Sequence, residues 1–170
     1  MSIKELVKEG LEENQEGIEE MTGGIPGEIG IILGSYLVQH VYPNKLGRVF
    51  NAQTDFELPG IGKKQPDLAF ASFATLAENT EDAVPVAPDL AVEVFSKSDT
   101  DYDMEKKVRL YQKAQVKLVW VVHPISQTVD IYRLNSGLKA EKRGGDDELN
   151  GETVVPGFKL KINMLFKQES

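Results

Sequence analysis

Between Leu90 and Phe95 the chain reads LAVEVF, and between Leu118 and Val122 it reads LVWVV. Runs this short and this apolar suit strands buried on both faces of a sheet. Only Glu93 interrupts them with a charge. A carboxylate in such a strand must be paired, protonated or bound to a cation, because an isolated buried charge is strongly disfavoured. Side chains alternate across a strand, so Ala91, Glu93 and Phe95 share a face. The run alone leaves two accounts of Glu93 at about equal weight: a structural ion pair or edge residue, and a functional acid.

The surrounding periodicities predict both helices and strands. A helical stripe of Ile3, Leu6, Val7 and Leu11 predicts a helix over 2–13, followed by a short strand at 17–21. Ile29, Ile32, Leu33, Tyr36, Leu37 and His40 predict a second helix over 25–42, ended by Pro43 and Asn44. Strands are expected at 48–58, 67–71, 90–95, 118–122, 128–133 and 158–162, with a turn at 59–62 and hairpin-like pieces around 144–147. A loop or short helix covers 72–88, and 103–115 is a helix. Helices that precede, interrupt and follow strands describe an α/β or α+β sheet protein. No fixed repeat or long linker divides the sequence, so a single domain over 1–170 is expected.

Composition removes several classes of function. The absence of cysteine excludes a disulfide framework, a zinc-thiolate site and a thiol nucleophile. No apolar run approaches the roughly 18 residues that span a bilayer. The charged start, MSIKELVKEGLEENQEG, is unlike a signal peptide, so a cytoplasmic protein without membrane association is expected. Acids outnumber bases 27 to 19, a formal charge of −8, which argues against nucleic-acid binding through a diffuse basic surface.

Three other residues could join Glu93. Asp67 begins a strand after Pro66; alone it reads as a turn residue, but with Glu93 on a neighbouring strand it offers hard oxygen ligands suited to Mg²⁺ or Mn²⁺. Glu28 lies near the start of the second helix, where an acid is favourable without any further role. Lys107 falls on the apolar stripe of its helix with Met104, Val108 and Tyr111. Its stem either snorkels outward or brings the ammonium to the carboxylates. Lys106, Arg109 and Lys113 on the opposite face, and Lys63 with Lys64, are candidate phosphate contacts that also read as solvated charge. His40 and His123 belong to no ligand-spaced or triad-like cluster, and no Walker loop, GxGxxG, GxSxG or HExxH string is present.

Taken in order, TGGIPGEI with Glu28, QPDLAF with Asp67, PDLAVEVFS with Glu93, EKKVRLYQKAQVKLVWVVHP with Lys107 and the closing VPGFKL resemble the Uma-two family, named for restriction endonucleases. That family resembles a branch of the PD-(D/E)xK nuclease-like superfamily. The resemblance implies a restriction-endonuclease-like core, a mixed central β-sheet flanked by helices. It also implies that Asp67 and Glu93 bind metal, that Glu28 is a helical acid of the same site, and that Lys107 is the catalytic lysine. The superfamily lysine stands two residues after the strand acid, where this chain has Phe95; the family pattern supplies it from the next helix. Pro26 and His123 stand where relatives commonly carry histidine and aspartate. The implied function is Mg²⁺-dependent hydrolysis of DNA phosphodiesters, Mn²⁺ serving as well, by a homodimer or higher homo-oligomer. The alternative is a catalytically silent nuclease-fold binding or scaffold protein.

Overall fold

The computed structural model describes residues 24–76 and 82–166, so the helix expected over 2–13 and the strand at 17–21 lie outside the described residues. A helix, α1, occupies 24–41, then come β1 (Gly47–Asn51), β2 (Phe56–Leu58), β3 (Gly62–Lys64), β4 (Leu68–Ser72), β5 (Leu90–Val94), α2 (Asp101–Lys113), β6 (Leu118–His123), β7 (Thr128–Arg133), β8 (Ala140–Gly144), β9 (Glu148–Asn150) and β10 (Lys159–Lys161). Six strands form a mixed sheet in the order β1-β4-β5-β6-β7-β8. Its one parallel pair, β5 with β6, is joined through α2, while every other neighbouring pair is antiparallel. The architecture is therefore mixed α/β, as expected. None of the described helices is long and apolar enough to cross a membrane.

The two apolar runs become the centre of the sheet because both their faces are covered. Leu90, Val92 and Val94 of β5, with Trp120 of β6, pack towards Ile29, Leu33, Leu37 and Val41 of α1. Those four helix residues recur every fourth position and are almost wholly buried, each contributing roughly 1.5–3 kcal/mol relative to exposure. The alternate residues Ala91, Val119 and Val121 face Met104, Val108 and Tyr111 of α2. Gly47 admits the edge strand β1: a Cβ there would lie 2.1 Å from the carbonyl oxygen of Ala71.

Four local expectations are corrected by turn and cap chemistry. The strand expected over 48–58 divides into β1 and β2, because Asn51 Oδ1 accepts from the Gln53 amide at 3.1 Å and turns the chain. The turn expected at 59–62 is present, but Gly62–Lys64 then pairs with β2 as an additional hairpin strand. Helix α2 starts two residues early because Thr100 and Asp103 form a reciprocal capping box. It ends at Lys113, since Gln115 adopts a left-handed conformation (φ 63°) and Val116 donates back to the Tyr111 carbonyl. Finally, the turn at 144–147 joins β8 to β9 without pairing them; β9 pairs with β10 instead.

Candidate active site

Antiparallel register brings the first two acids together. Leu68 pairs with Val92, so Asp67, one residue before, lies across from Glu93, one residue after. Asp67 Oδ2 accepts the Val94 amide at 2.6 Å, an anchor that continues the strand pairing through a side chain. Glu93 is only 3% exposed and projects from the α2 face of β5.

Helix α2 supplies the opposing charge. Lys107 and Tyr111 lie one turn apart on the same face. Lys107 Nζ donates to Glu93 Oε2 at 3.1 Å, and the Tyr111 hydroxyl donates to Glu93 Oε1 at 2.5 Å. Lys107 therefore reaches inward, as its place on the apolar stripe suggested, although 42% of its side chain remains exposed. Asp99 completes the group at 3.7 Å from Lys107 Nζ. Its other oxygen accepts from the amide and hydroxyl of Ser96 at 2.9 and 2.7 Å, fixing the loop between β5 and α2.

Burial sets the electrostatics. It pushes the Glu93 carboxyl above its ordinary range; Lys107 and Tyr111 oppose that rise, and Asp67 adds to it. Asp67 is likewise raised by burial, against the pull of the Val94 amide and Lys107, with Asp99 adding repulsion. Burial disfavours the Lys107 ammonium, but Glu93, Asp99 and Asp67 outweigh this and hold it charged. Tyr111 is driven far above the usual phenol range by burial and the Glu93 charge, so it remains a donor.

The remaining expected residues separate into three groups. Lys64 and Gln65 border a 70 Å³ recess with Glu93, Lys107 and Tyr111, which places one lysine of the 63–64 pair at the site and leaves Lys63 exposed on β3. Glu28 is exposed and lines a groove with Gln127 and Phe166, whereas α1 faces the Asp67 cleft with Gly27, Gly30 and Ile31. The structure does not bring Glu28 together with Asp67 and Glu93, and among the described residues no group of three or more histidines, aspartates or glutamates is arranged to hold a metal ion. Lys106, Arg109 and Lys113 are exposed on α2, Arg109 being bonded to Glu105 at 2.6 and 3.1 Å.

Both histidines are engaged elsewhere. His40 Nε2 bonds the Pro156 carbonyl at 2.8 Å, and His123 Nε2 bonds Asp130 Oδ2 at 2.9 Å. Asp99 and the bonding role of Tyr111 were not identified from sequence. The Ser96-to-Asp99 spacing is a turn signal that could have drawn attention to Asp99, and Tyr111 sits one helical turn beyond Lys107 on the stripe already identified.

A family model described as "Putative restriction endonuclease" and named Uma2 matches residues 9–163. A crystal structure described as that of a putative nuclease belonging to DUF820, from Anabaena variabilis ATCC 29413, is similar in fold, with a TM-score of 0.72. At 20% identity it covers 84% of this chain and 80% of its own, which shows a shared fold. No curated protein matches. The chain belongs to the Uma2 family of restriction-endonuclease-like proteins.

Proposed function

We propose that the protein is a divalent-metal-dependent phosphodiesterase acting on DNA, with Asp67, Glu93 and Lys107 as its site. The observation that carries this reading is the meeting, from two strands and a helix, of the buried Glu93 and the half-buried Asp67 carboxylates with a lysine held charged. Mg²⁺ is commonly held through one or two carboxylates, with waters and substrate oxygens completing its shell, so the Asp67 and Glu93 oxygens fit it. Mn²⁺ suits the same hard donors. When bound there, the ion would supply charge neutralisation for a phosphoryl group.

The side chains then have distinct parts. In hydrolysis a water oxygen bonds to phosphorus, the bond from phosphorus to a sugar oxygen breaks, and a water proton ends on the released oxygen. Lys107, being an ammonium, donates a hydrogen bond to the water or to a phosphoryl oxygen and does not act as a base. Tyr111 holds Glu93, and Asp99 restrains both Lys107 and the loop beside it. Lys64 lies at the recess through which a phosphate would approach.

The scaffold reading has its own support: both Glu93 oxygens already have partners, as a structural ion pair requires. Incubation of supercoiled plasmid and of circular single-stranded DNA with Mg²⁺ or Mn²⁺, against an EDTA control, separates the two. Metal-dependent cleavage of either supports the phosphodiesterase; both left intact at stoichiometric protein favours the scaffold.

A further inference from the structure

We infer that the cavity just beyond Glu93 is a subsite for one unpaired nucleobase, which makes single-stranded nucleic acid the substrate class. This inference rests on the phosphodiesterase reading and deepens it.

The position follows from the backbone. Val94, whose amide holds Asp67, is followed by Phe95, whose amide bonds the Val122 carbonyl at 2.8 Å and carries the parallel pairing one step past β5. Phe95 thereby meets His123 at the end of β6, with ring centroids 5.2 Å apart and planes 29° from parallel. Asp130 fixes the His123 ring from β7. The pair is thus held by two strands and a carboxylate, an aromatic wall that starts two residues after Glu93 along the chain.

A cavity of about 420 Å³ lies against this wall, within the range of roughly 300–1,000 Å³ usual for small-ligand sites. Ile25, Pro124 and Ile125 give it apolar sides, and Ile125 is 88% exposed. Ser96, Lys97 and Ser126 bring polar groups to the same lining. Flat aromatic and apolar walls beside hydroxyls and an ammonium suit a planar heteroaromatic ring attached to a phosphate.

Charge points the same way. With a formal charge of −8, the chain cannot rely on a basic surface to hold a phosphate backbone. Stacking of a base on an aromatic side chain is independent of net charge and tolerant of sequence. It requires an exposed base face, which a duplex hides and a single strand offers.

The test is fluorescence anisotropy of labelled single-stranded octadeoxynucleotides in EDTA, with one abasic residue moved along the strand. For the wild type, one abasic position should weaken binding about 10-fold, the size of a lost base–aromatic stack. Phe95→Leu should bind the intact strand about 10-fold more weakly, be indifferent to that abasic position, and melt near the wild-type temperature; Phe95→Trp should restore binding. Wild-type affinity that ignores every abasic position, or no binding of single strands, overturns the subsite. Should Phe95→Leu fail to fold, the wild-type scan decides alone. Because EDTA removes turnover, a protein that cleaves DNA but fails this scan loses only the subsite, and one that passes it but never cleaves loses only the phosphodiesterase reading.

Discussion

Tyr111 donates its phenolic hydrogen to Glu93 Oε1 across 2.5 Å, leaving Oε2 to Lys107. The bond joins the α2 face of the core to the acid and fixes the carboxylate plane. Tyr111→Phe keeps the ring within that core and removes only the donor. It should lower stability in urea by about 1.5–3 kcal/mol, the value of a hydrogen bond to a charged group. A loss below half a kcal/mol, about the size of a neutral surface change, would show that Glu93 does not depend on it.

Lys107→Met removes the ammonium while keeping most of the stem. Breaking a fully buried pair costs about 3–5 kcal/mol, but the partial exposure of Lys107 reduces this to roughly 1–3 kcal/mol. The pH dependence follows from Glu93, whose raised pKa rises further without its partner. A carboxyl with a raised folded pKa penalises the native state above that pKa and is relieved as pH falls and it protonates. The deficit of Lys107→Met, measured by denaturation, should therefore be largest at neutral pH and shrink on acidification.

Asp67→Asn should stabilise the protein. The asparagine oxygen can still accept the Val94 amide, while a half-buried negative charge beside Glu93 and Asp99 disappears. A gain of about 1 kcal/mol corresponds to a melting temperature higher by roughly 2–4 °C. Millimolar Mn²⁺ should raise the melting temperature of the wild type by preferential binding to the native state, and should not raise that of Asp67→Asn. Equal responses of both proteins to Mn²⁺ would exclude Asp67 from the metal site.

Asp89 gives the opposite pH sign at the other end of β5. Burial raises its pKa, but Lys117 at 2.7 Å, the Ser72 amide at 2.8 Å and the Thr75 hydroxyl at 3.0 Å outweigh burial and hold it low. A depressed carboxyl stabilises the fold above its unfolded pKa of about 3.9, and that contribution is lost as pH falls through the lower folded value. Asp89→Ala should cost about 2–3 kcal/mol at neutral pH, with the deficit fading in acid.

What the sequence disclosed follows period and register. The α1 stripe and the two apolar runs were legible because burial on a helix or strand recurs at fixed spacing, and Lys107 was legible because it breaks such a stripe. The Asp67–Glu93 juxtaposition depends on strand register, which one sequence does not state; the resemblance supplied it and the Leu68–Val92 pairing accounts for it. The β2–β3 hairpin escaped because its three-residue strands are too short to show a period, and the split after Asn51 and the bond from Ser96 to Asp99 escaped because each depends on a local side-chain-to-backbone contact with no periodic trace. The position of Glu28 near a helix start was correct, but the rotation of α1 turns it towards Gln127 and Phe166.

Single-turnover cleavage of end-labelled single- and double-stranded DNA with Mg²⁺ or Mn²⁺ decides whether Asp67, Glu93 and Lys107 act together on phosphodiesters. The wild type, Asp67→Asn, Lys107→Met and the remote Asp89→Asn are compared under identical conditions. Rates of Asp67→Asn and Lys107→Met should fall at least about 10²-fold, the loss typical when one stabiliser of transition-state charge is removed, while Asp89→Asn stays near wild type. Equal cleavage by all four proteins, or none by the wild type with either metal, would show that these residues do not form a phosphodiesterase site.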